Sequence, residues 1–225
     1  MPILYGRHLS PYVRKVLMLV DAGGIEITHR NDITPFPPSE ELLAVNPRGK
    51  IPALKDGDLN LGESSVICAY LERRYGPSGL YPEDPKAYAR ALWFEKYMEE
   101  CLMPAIGPVF YQRVLVPLLG KGVDEQAIAV ALSERQPPVF ELLDAALEGR
   151  QYLVGEAPSI ADAAVVSAFI NLLCAEAEVD AVRYPHLAAY LAFQLVRPEV
   201  TRWFEAAQAL TAQLREKGAE LKGKA

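Results

Sequence analysis

Three short stretches of this chain combine side chains that could hold a small peptide and activate its thiol. The first is Leu9-Ser10-Pro11-Tyr12-Val13-Arg14-Lys15-Val16, in which a hydroxyl stands where a short apolar run ends and helical spacing begins. The Ser10 hydroxyl has two uses there. It can cap the helix by accepting from a free backbone N–H. It can also serve an anion, because a helix N-terminus carries roughly half a positive elementary charge. A thiol brought beside it, with Ser10 donating a hydrogen bond, is stabilised as the thiolate, which is the nucleophilic form.

The second stretch is Asn46-Pro47-Arg48-Gly49-Lys50-Ile51-Pro52-Ala53-Leu54. Pro52 opens a strand-like run, where its missing N–H is tolerable. Ile51 can then pair its backbone N–H and C=O with a peptide ligand, as one strand pairs with another. The same residues also read as an ordinary loop-to-strand junction. The third stretch, Gly62-Glu63-Ser64-Ser65, precedes the apolar run Val66 to Leu71 and marks another helix start. Ser64 and the local N–H groups can bind a carboxylate while Glu63 accepts from an ammonium; simple capping accounts for them equally well.

The elements that must position these residues follow from periodicity. Pro2 to Gly6 reads as a strand, and Tyr12 to Val20 as a helix stopped by Ala22-Gly23-Gly24. Ile25 to His29 alternates as a second strand, the proline-rich segment Thr34 to Ser39 is a loop, and Glu40 to Val45 is a short helix. Ile51 to Lys55 and Leu59 to Leu61 flank Asp56-Gly57-Asp58, a hairpin signal. Glu63 to Tyr75 is a helix closed by Gly76 and Pro77, which gives the order βαβαββα.

Gly76 to Pro85 has the composition of a linker, and beyond it the pattern is helical almost throughout. Tyr88 to Leu119 reads as one long helix bent near Pro104 and Pro108, followed by Asp124 to Leu147, Pro158 to Glu178, Pro185 to Leu195 and Pro198 to Leu214. The polar tail from Lys217 is expected to fray. The division is therefore an α/β domain over 1–78, a linker over 79–87 and an all-α domain over 88–225.

Composition narrows the function. The 225 residues suit two packed domains, and about half are hydrophobic. A net charge of −6 lacks the basic surplus of a nucleic-acid binder. No run of 18 charge-free apolar residues argues for a membrane partner, and the N-terminus does not read as a signal peptide. The three cysteines, Cys68, Cys101 and Cys174, form no CxxC and suit reduced thiols in a cytoplasmic setting. The three histidines are scattered, so no metal site is expected.

In their order and spacing, SPYVRKV, NPRGKIPALKDGD and GESSVICAYLERRYG resemble the glutathione transferase superfamily, most closely its serine-type phi class and theta-like bacterial members. The resemblance spans nearly the whole chain. Phe110-Tyr111-Gln112-Arg113-Val114 and Pro117-Leu118-Leu119-Gly120 are similar to the phi-class fourth helix, and Ser159-Ile160-Ala161-Asp162 matches a buried capping box of the superfamily. The resemblance implies a thioredoxin-like N-terminal domain with Pro52 in cis, followed by a helical domain. It implies glutathione as cosubstrate, Ser10 as the catalytic hydroxyl, and Tyr12, Lys50, Ile51, Pro52, Glu63 and Ser64 as glutathione-binding residues, with Arg48 competing with Lys50 for the glycyl carboxylate.

The electrophile is expected over the helical domain, against Tyr97, Cys101, Pro104, Phe110 and Tyr111, with Phe169 behind them. Conjugation, peroxide reduction, dehalogenation and isomerisation all remain open. Tyr5 reads as core or pocket wall and His8 as a solvated loop residue. A homodimer is implied too. Trp93, Phe94, Tyr97 and Met98 span more than one helical face, and Tyr70, Arg73 and Arg74 could meet Glu95, Glu99 or Glu100 across the interface. Two other readings compete: a non-catalytic binding or scaffold protein on the same fold, and a thiol–disulfide oxidoreductase, which the missing CxxC disfavours.

Overall fold

A computed structural model describes residues 1–222. Four strands, β1 (Ile3–Tyr5), β2 (Thr28–Arg30), β3 (Ala53–Asp56) and β4 (Leu59–Gly62), form one mixed sheet in the order β2-β1-β3-β4. β1 runs parallel to β2 and antiparallel to β3, and β3 turns into β4 through Gly57 and Asp58. Gly57, at φ 61°, takes the left-handed conformation this two-residue hairpin needs. The helices α1 (Pro11–Ala22), α2 (Glu40–Val45) and α3 (Ser64–Tyr75) complete the βαβαββα order. The second strand starts at Thr28, later than its alternation suggests, because it pairs only along the three residues of β1, Ile3 to Tyr5.

The turn from β1 into α1 depends on Gly6. Its φ of 136° suits glycine alone, and a Cβ there would lie 2.7 Å from Val13 Cγ2 and 2.8 Å from Ile51 Cβ. The absent side chain lets the start of α1 and the Ile51–Pro52 segment touch.

The first helix after the sheet domain begins at Pro85, earlier than the Tyr88 start read from the sequence. Pro85 occupies the first turn of α4 (Pro85–Tyr97), where a proline loses nothing, and Asp84 caps it through the Ala87 N–H at 2.8 Å. The helical run continues to Leu119 through a π turn (Met98–Leu102), α5 (Met103–Phe110), a second π turn (Tyr111–Leu115) and a 3₁₀ turn. A third π turn (Ala131–Arg135) separates α6 (Glu125–Val130) from α7 (Gln136–Ala146). Each π turn stands just before a proline: Pro104, Pro117 and Pro137. A helical proline clashes with the carbonyl four residues back. Those carbonyls belong to Glu100, Arg113 and Ser133, each inside a π turn, where the wider winding moves them aside.

Pro85–Leu119 is long and apolar enough to cross a membrane by length and composition. Its apolar face, with Ala91, Phe94, Met98, Leu102, Ile106 and Val109, is spent in the core. There it packs on α8 (Ile160–Cys174), which is shorter than the sequence pattern and is buried along nearly its whole length. Helices α9 (Pro185–Leu195) and α10 (Pro198–Lys222) close the domain. α10 runs past Lys217, where the sequence suggested fraying, and its Gly218 passes close to Pro117; residues 223–225 lie outside the described residues.

Ser159 and Asp162 form the capping box read from the sequence. The Asp162 carboxylate accepts from the Ser159 N–H at 2.8 Å and hydroxyl at 2.9 Å. Tyr5 is core, packed with Ile33, Leu42, Val45 and Ala53. His8 is not solvated as expected: its ring nitrogens face Asn31 Oδ1 at 2.8 Å and the Ala206 carbonyl at 3.2 Å.

The Gly6 geometry carries a prediction. Gly6→Ala should destabilise the chain by about 2–4 kcal/mol, combining overpacking with backbone strain. Urea unfolding monitored by circular dichroism measures it; a midpoint equal to the parent's would contradict the close approach.

Candidate active site

The N-termini of α1 and α3 and the cis Ile51–Pro52 peptide frame the candidate site. Ser10 is the N-cap of α1 and accepts from the Val13 N–H at 3.5 Å, a long bond that uses only an oxygen lone pair. Its hydroxyl hydrogen is left for another acceptor. No acidic side chain occupies the first turn of α1, so nothing cancels the positive end of the helix there.

A cleft of about 170 Å³ is lined by Tyr12, Lys50, Ile51, Pro52, Glu63, Ser64 and Glu99. Six of these seven are the residues named from sequence as glutathione-binding. Ser10 stands two residues before Tyr12 and is not itself in the lining. Burial, reinforced by the carboxylates of Glu99 and Glu63, pushes the Tyr12 phenol up, so it stays a hydroxyl donor at neutral pH.

Asn46 holds the lower lip of the cleft. Buried beneath it, the side chain donates to the Lys50 carbonyl at 2.8 Å and accepts from the Arg48 N–H at 3.2 Å. Gly62 makes room for it, since a Cβ there would approach Asn46 Nδ2 to 2.9 Å. Arg48 forms an ion pair with Glu63, while no ion pair of Lys50 is found among the described residues. Lys50 is thus the freer of the two cations that the sequence left in competition. Ser64 is buried at the start of α3, and the N-cap residue Glu63 makes no side-chain bond to that helix, so its side chain leaves the leading N–H groups uncapped.

Sequence reasoning missed Glu99 as a lining residue. It offered Glu95, Glu99 or Glu100 as a partner for another chain; of these Glu95 and Glu99 are bound within this one, to Lys15 on α1 at 2.8 and 3.2 Å. A buried lysine gives little sequence signal; the adjacent Arg14-Lys15 pair on an otherwise apolar helix was the available clue. Tyr70, expected at the same interface, donates to Asp56 at 2.8 Å.

The residues expected to hold the electrophile lie outside the cleft described above. Tyr97 and Cys101 are half-buried, Pro104 and Tyr111 are exposed, and Phe110 belongs to the core. Phe169 is wholly buried, its ring centroid 5.4 Å from that of Phe140. A larger cavity of about 460 Å³ lies elsewhere between the domains, against Met18, Leu80, Asp162, Arg197 and Arg202, and contains none of them. Among the described residues, no group of three or more His, Cys, Asp or Glu could hold a metal ion.

Residues 4–79 match the family model of the glutathione S-transferase N-terminal domain, and residues 97–210 match that of the C-terminal domain. The chain belongs to the glutathione S-transferase family. Glutathione S-transferase 1 of Zea mays is 33% identical over 202 residues, covering 88% of this chain and 94% of the relative. Human glutathione S-transferase theta-1 is 33% identical over 154 residues, covering 68% and 64% of the two chains. Among solved structures, the apo form of human glutathione S-transferase T1-1 superposes with a TM-score of 0.84 at 28% identity, covering 100% of this chain and 96% of that one. A glutathione transferase homologue from Drosophila mojavensis with bound glutathione gives 0.79 at 28%, covering 96% and 97%.

In this glutathione S-transferase Glu63 has φ 66° and ψ 119°, a conformation costly for any residue with a Cβ. Glu63→Gly should therefore be more stable than Glu63→Ala by about 1 kcal/mol, against the usual order of those residues. Thermal unfolding of the two variants side by side checks it; an alanine variant at least as stable as the glycine one would mean the backbone is unstrained in solution.

Proposed function

We propose that the chain is a glutathione transferase in which reduced glutathione lies extended along the cleft, its sulfur at Ser10. The reading is carried by one observation: the residues named from three separate motifs line a single cleft. The γ-glutamyl carboxylate sits on the N-terminus of α3 beside Ser64, with the ammonium toward Glu63. The cysteinyl backbone pairs with the N–H and C=O of Ile51, which lines the cleft. The glycyl carboxylate reaches Lys50, and Tyr12 supplies a further hydroxyl.

Ser10 donates to the sulfur, and the positive end of α1 favours its charge, so the thiol proton is lost more easily. The thiolate attacks the electrophile, a carbon–sulfur bond forms, and the leaving group departs with its electron pair. Residues 1–78 carry the glutathione half of the reaction. The helical domain carries the other, along the face of Tyr97, Cys101, Pro104 and Tyr111, with Phe110 behind. The electrophile is a small hydrophobic molecule.

The three free thiols suit a reducing, cytoplasmic compartment. No cysteine stands at Ser10, which sets aside the disulfide-exchange reading. The intact Ser10, Ile51-Pro52 and Glu63-Ser64 set favours catalysis over a scaffold role.

Ser10→Ala should cut turnover of an activated aryl halide by roughly 10- to 1000-fold, the range for loss of a single donor to a developing anion. Glutathione affinity should hardly change, and the bound thiol should titrate at higher pH. Steady-state kinetics with an ultraviolet thiolate titration decides it; unchanged turnover with an unchanged titration would remove Ser10 from the chemistry.

We also propose a two-fold dimer. Phe94 and Met98 are core residues, but Trp93 and Tyr88 on α4 and Val66 on α3 keep exposed apolar surface. The Trp93 ring stacks on Tyr97 at 5.2 Å under the Arg90 guanidinium, a preformed aromatic surface for a second copy. Sedimentation equilibrium at micromolar concentration should give about twice the 24.8 kDa chain mass. A concentration-independent value near the single-chain mass would show it to be a monomer.

A further inference from the structure

Beneath the cleft lies a charge cluster that the reaction outlined above does not use. Lys15 on α1 has no solvent exposure, and its ammonium donates to Glu95 Oε1 at 2.8 Å, Ser65 Oγ at 3.0 Å and Glu99 Oε1 at 3.2 Å. One buried cation thus joins three elements from both domains: α1, the first turn of α3, and the junction of α4 with its π turn. Two carboxylates face this single ammonium, which leaves an excess negative charge. Lys96 approaches Glu99 from solvent at 3.3 Å with its side chain mostly exposed, where an ion pair is worth little.

That negative charge reaches the cleft. Glu99 lines it, and the oxygen that meets Lys15 also accepts from Ser65 Oγ at 2.8 Å and Ser64 Oγ at 3.4 Å. Burial alone would raise the Glu99 carboxyl, but Lys15 and the Ser65 hydroxyl outweigh it and hold it below the ordinary carboxylate range. The group is a fixed anion at neutral pH. The charge of Glu63, by contrast, is shared with Arg48 at an exposed edge.

A buried lysine between two acids is a poor way to gain stability, because desolvation consumes most of the Coulomb attraction. Its geometric effect is definite: with Lys15 in place, Glu99 cannot swing away from the start of α3. We propose that Lys15 is a positioning residue for the glutathione cleft, locking Glu99 against Ser64 and Ser65 so that a carboxylate of the helical domain meets the ammonium of the γ-glutamyl end. The inference rests on the proposed placement of glutathione and adds to it a determinant of specificity for the free amino group.

The test uses the full chain and two ligands, glutathione and its desamino analogue, in which a glutaryl group replaces γ-glutamate. Calorimetric titrations compare the parent with Glu99→Gln and with the paired variant Lys15→Met/Glu95→Gln, which removes the buried cation together with its closest acid. The parent should prefer glutathione at least roughly tenfold. Both variants should lose roughly ten- to a hundredfold in glutathione affinity, the range for a charge-assisted hydrogen bond, while binding the analogue as the parent does. Their KM for glutathione should rise, with the turnover of saturated enzyme retained.

Variants that discriminate as well as the parent, whatever their melting temperature, would reduce Lys15 to a structural staple and overturn the proposal. Should the paired variant not fold, Glu99→Gln alone decides. A parent that binds neither ligand overturns the placement of glutathione, and this inference with it. A parent that binds both equally overturns the inference alone.

Discussion

Two neighbouring cations on α1, Arg14 and Lys15, have no access to water, and the fold must satisfy both. Successive helical residues point about 100° apart, so the two charges leave α1 toward different partners. Arg14 reaches α8, donating to the Ser167 carbonyl and to Asn171 Oδ1 at 2.5 Å each, and back to the His8 carbonyl at 3.0 Å. No carboxylate is among these acceptors, and burial pushes the guanidinium down to about 9. That is still above neutrality, so the group stays charged at neutral pH. Lys15 reaches the opposite way, to α4 and α3. Losing either set of acceptors would strand a buried charge, a cost of several kcal/mol. The rotation of α1 between the domains is therefore fixed, and with it the direction in which Ser10 and Tyr12 present their hydroxyls.

The second anchor is α8, which supplies the Arg14 acceptors. Its start is held by Asp162, which accepts from the Leu153 N–H at 2.9 Å and the Tyr190 hydroxyl at 3.0 Å beyond its capping bonds. Burial still raises this carboxyl more than those donors lower it, a sign of how dry the site is. The Ile160 N–H donates to the Leu80 carbonyl at 2.8 Å, tying the helix to the linker. A chain of hydrogen-bonded polar groups thus runs from the linker through α8 and Arg14 to the turn before Ser10, although the buried Arg14 Nε has no partner among the described residues. The paired terminal nitrogens of the guanidinium tie α1 to α8 in one arrangement.

The parts of the fold that were legible in sequence are those set by local backbone chemistry. Gly23-Gly24 ended α1, the Asp-Gly pair made the hairpin, Ser10 and Ser159 marked helix starts, and the three motifs named six of the seven cleft residues. What stayed hidden depends on partners distant in sequence. Lys15 lies 80 and 84 positions before its partners Glu95 and Glu99, and each alone reads as solvated charge. The prolines of the long helix were visible as a disturbance, but periodicity could not separate a bend from a π turn. The electrophile-side residues were inferred from aromatic content, which does not distinguish Phe110 in the core from Tyr111 at the surface.

The two halves of the site differ in what fixes them. The glutathione side is built from backbone and tight packing: the Gly6 contact, the Asn46 clamp, the cis Ile51–Pro52 peptide and the first turn of α3. Substitution at these positions disturbs the fold before it alters recognition, so this side has little freedom. On the helical face Tyr97, Cys101, Pro104 and Tyr111 keep part of their surface in water. Changing an exposed side chain usually costs within about 0.5 kcal/mol. Such a surface can change without disturbing the packing that holds Ser10 and the start of α1 in place. The buried cations make this separation possible, because they carry a mechanical link between the domains that does not depend on the exposed side chains Pro104 and Tyr111.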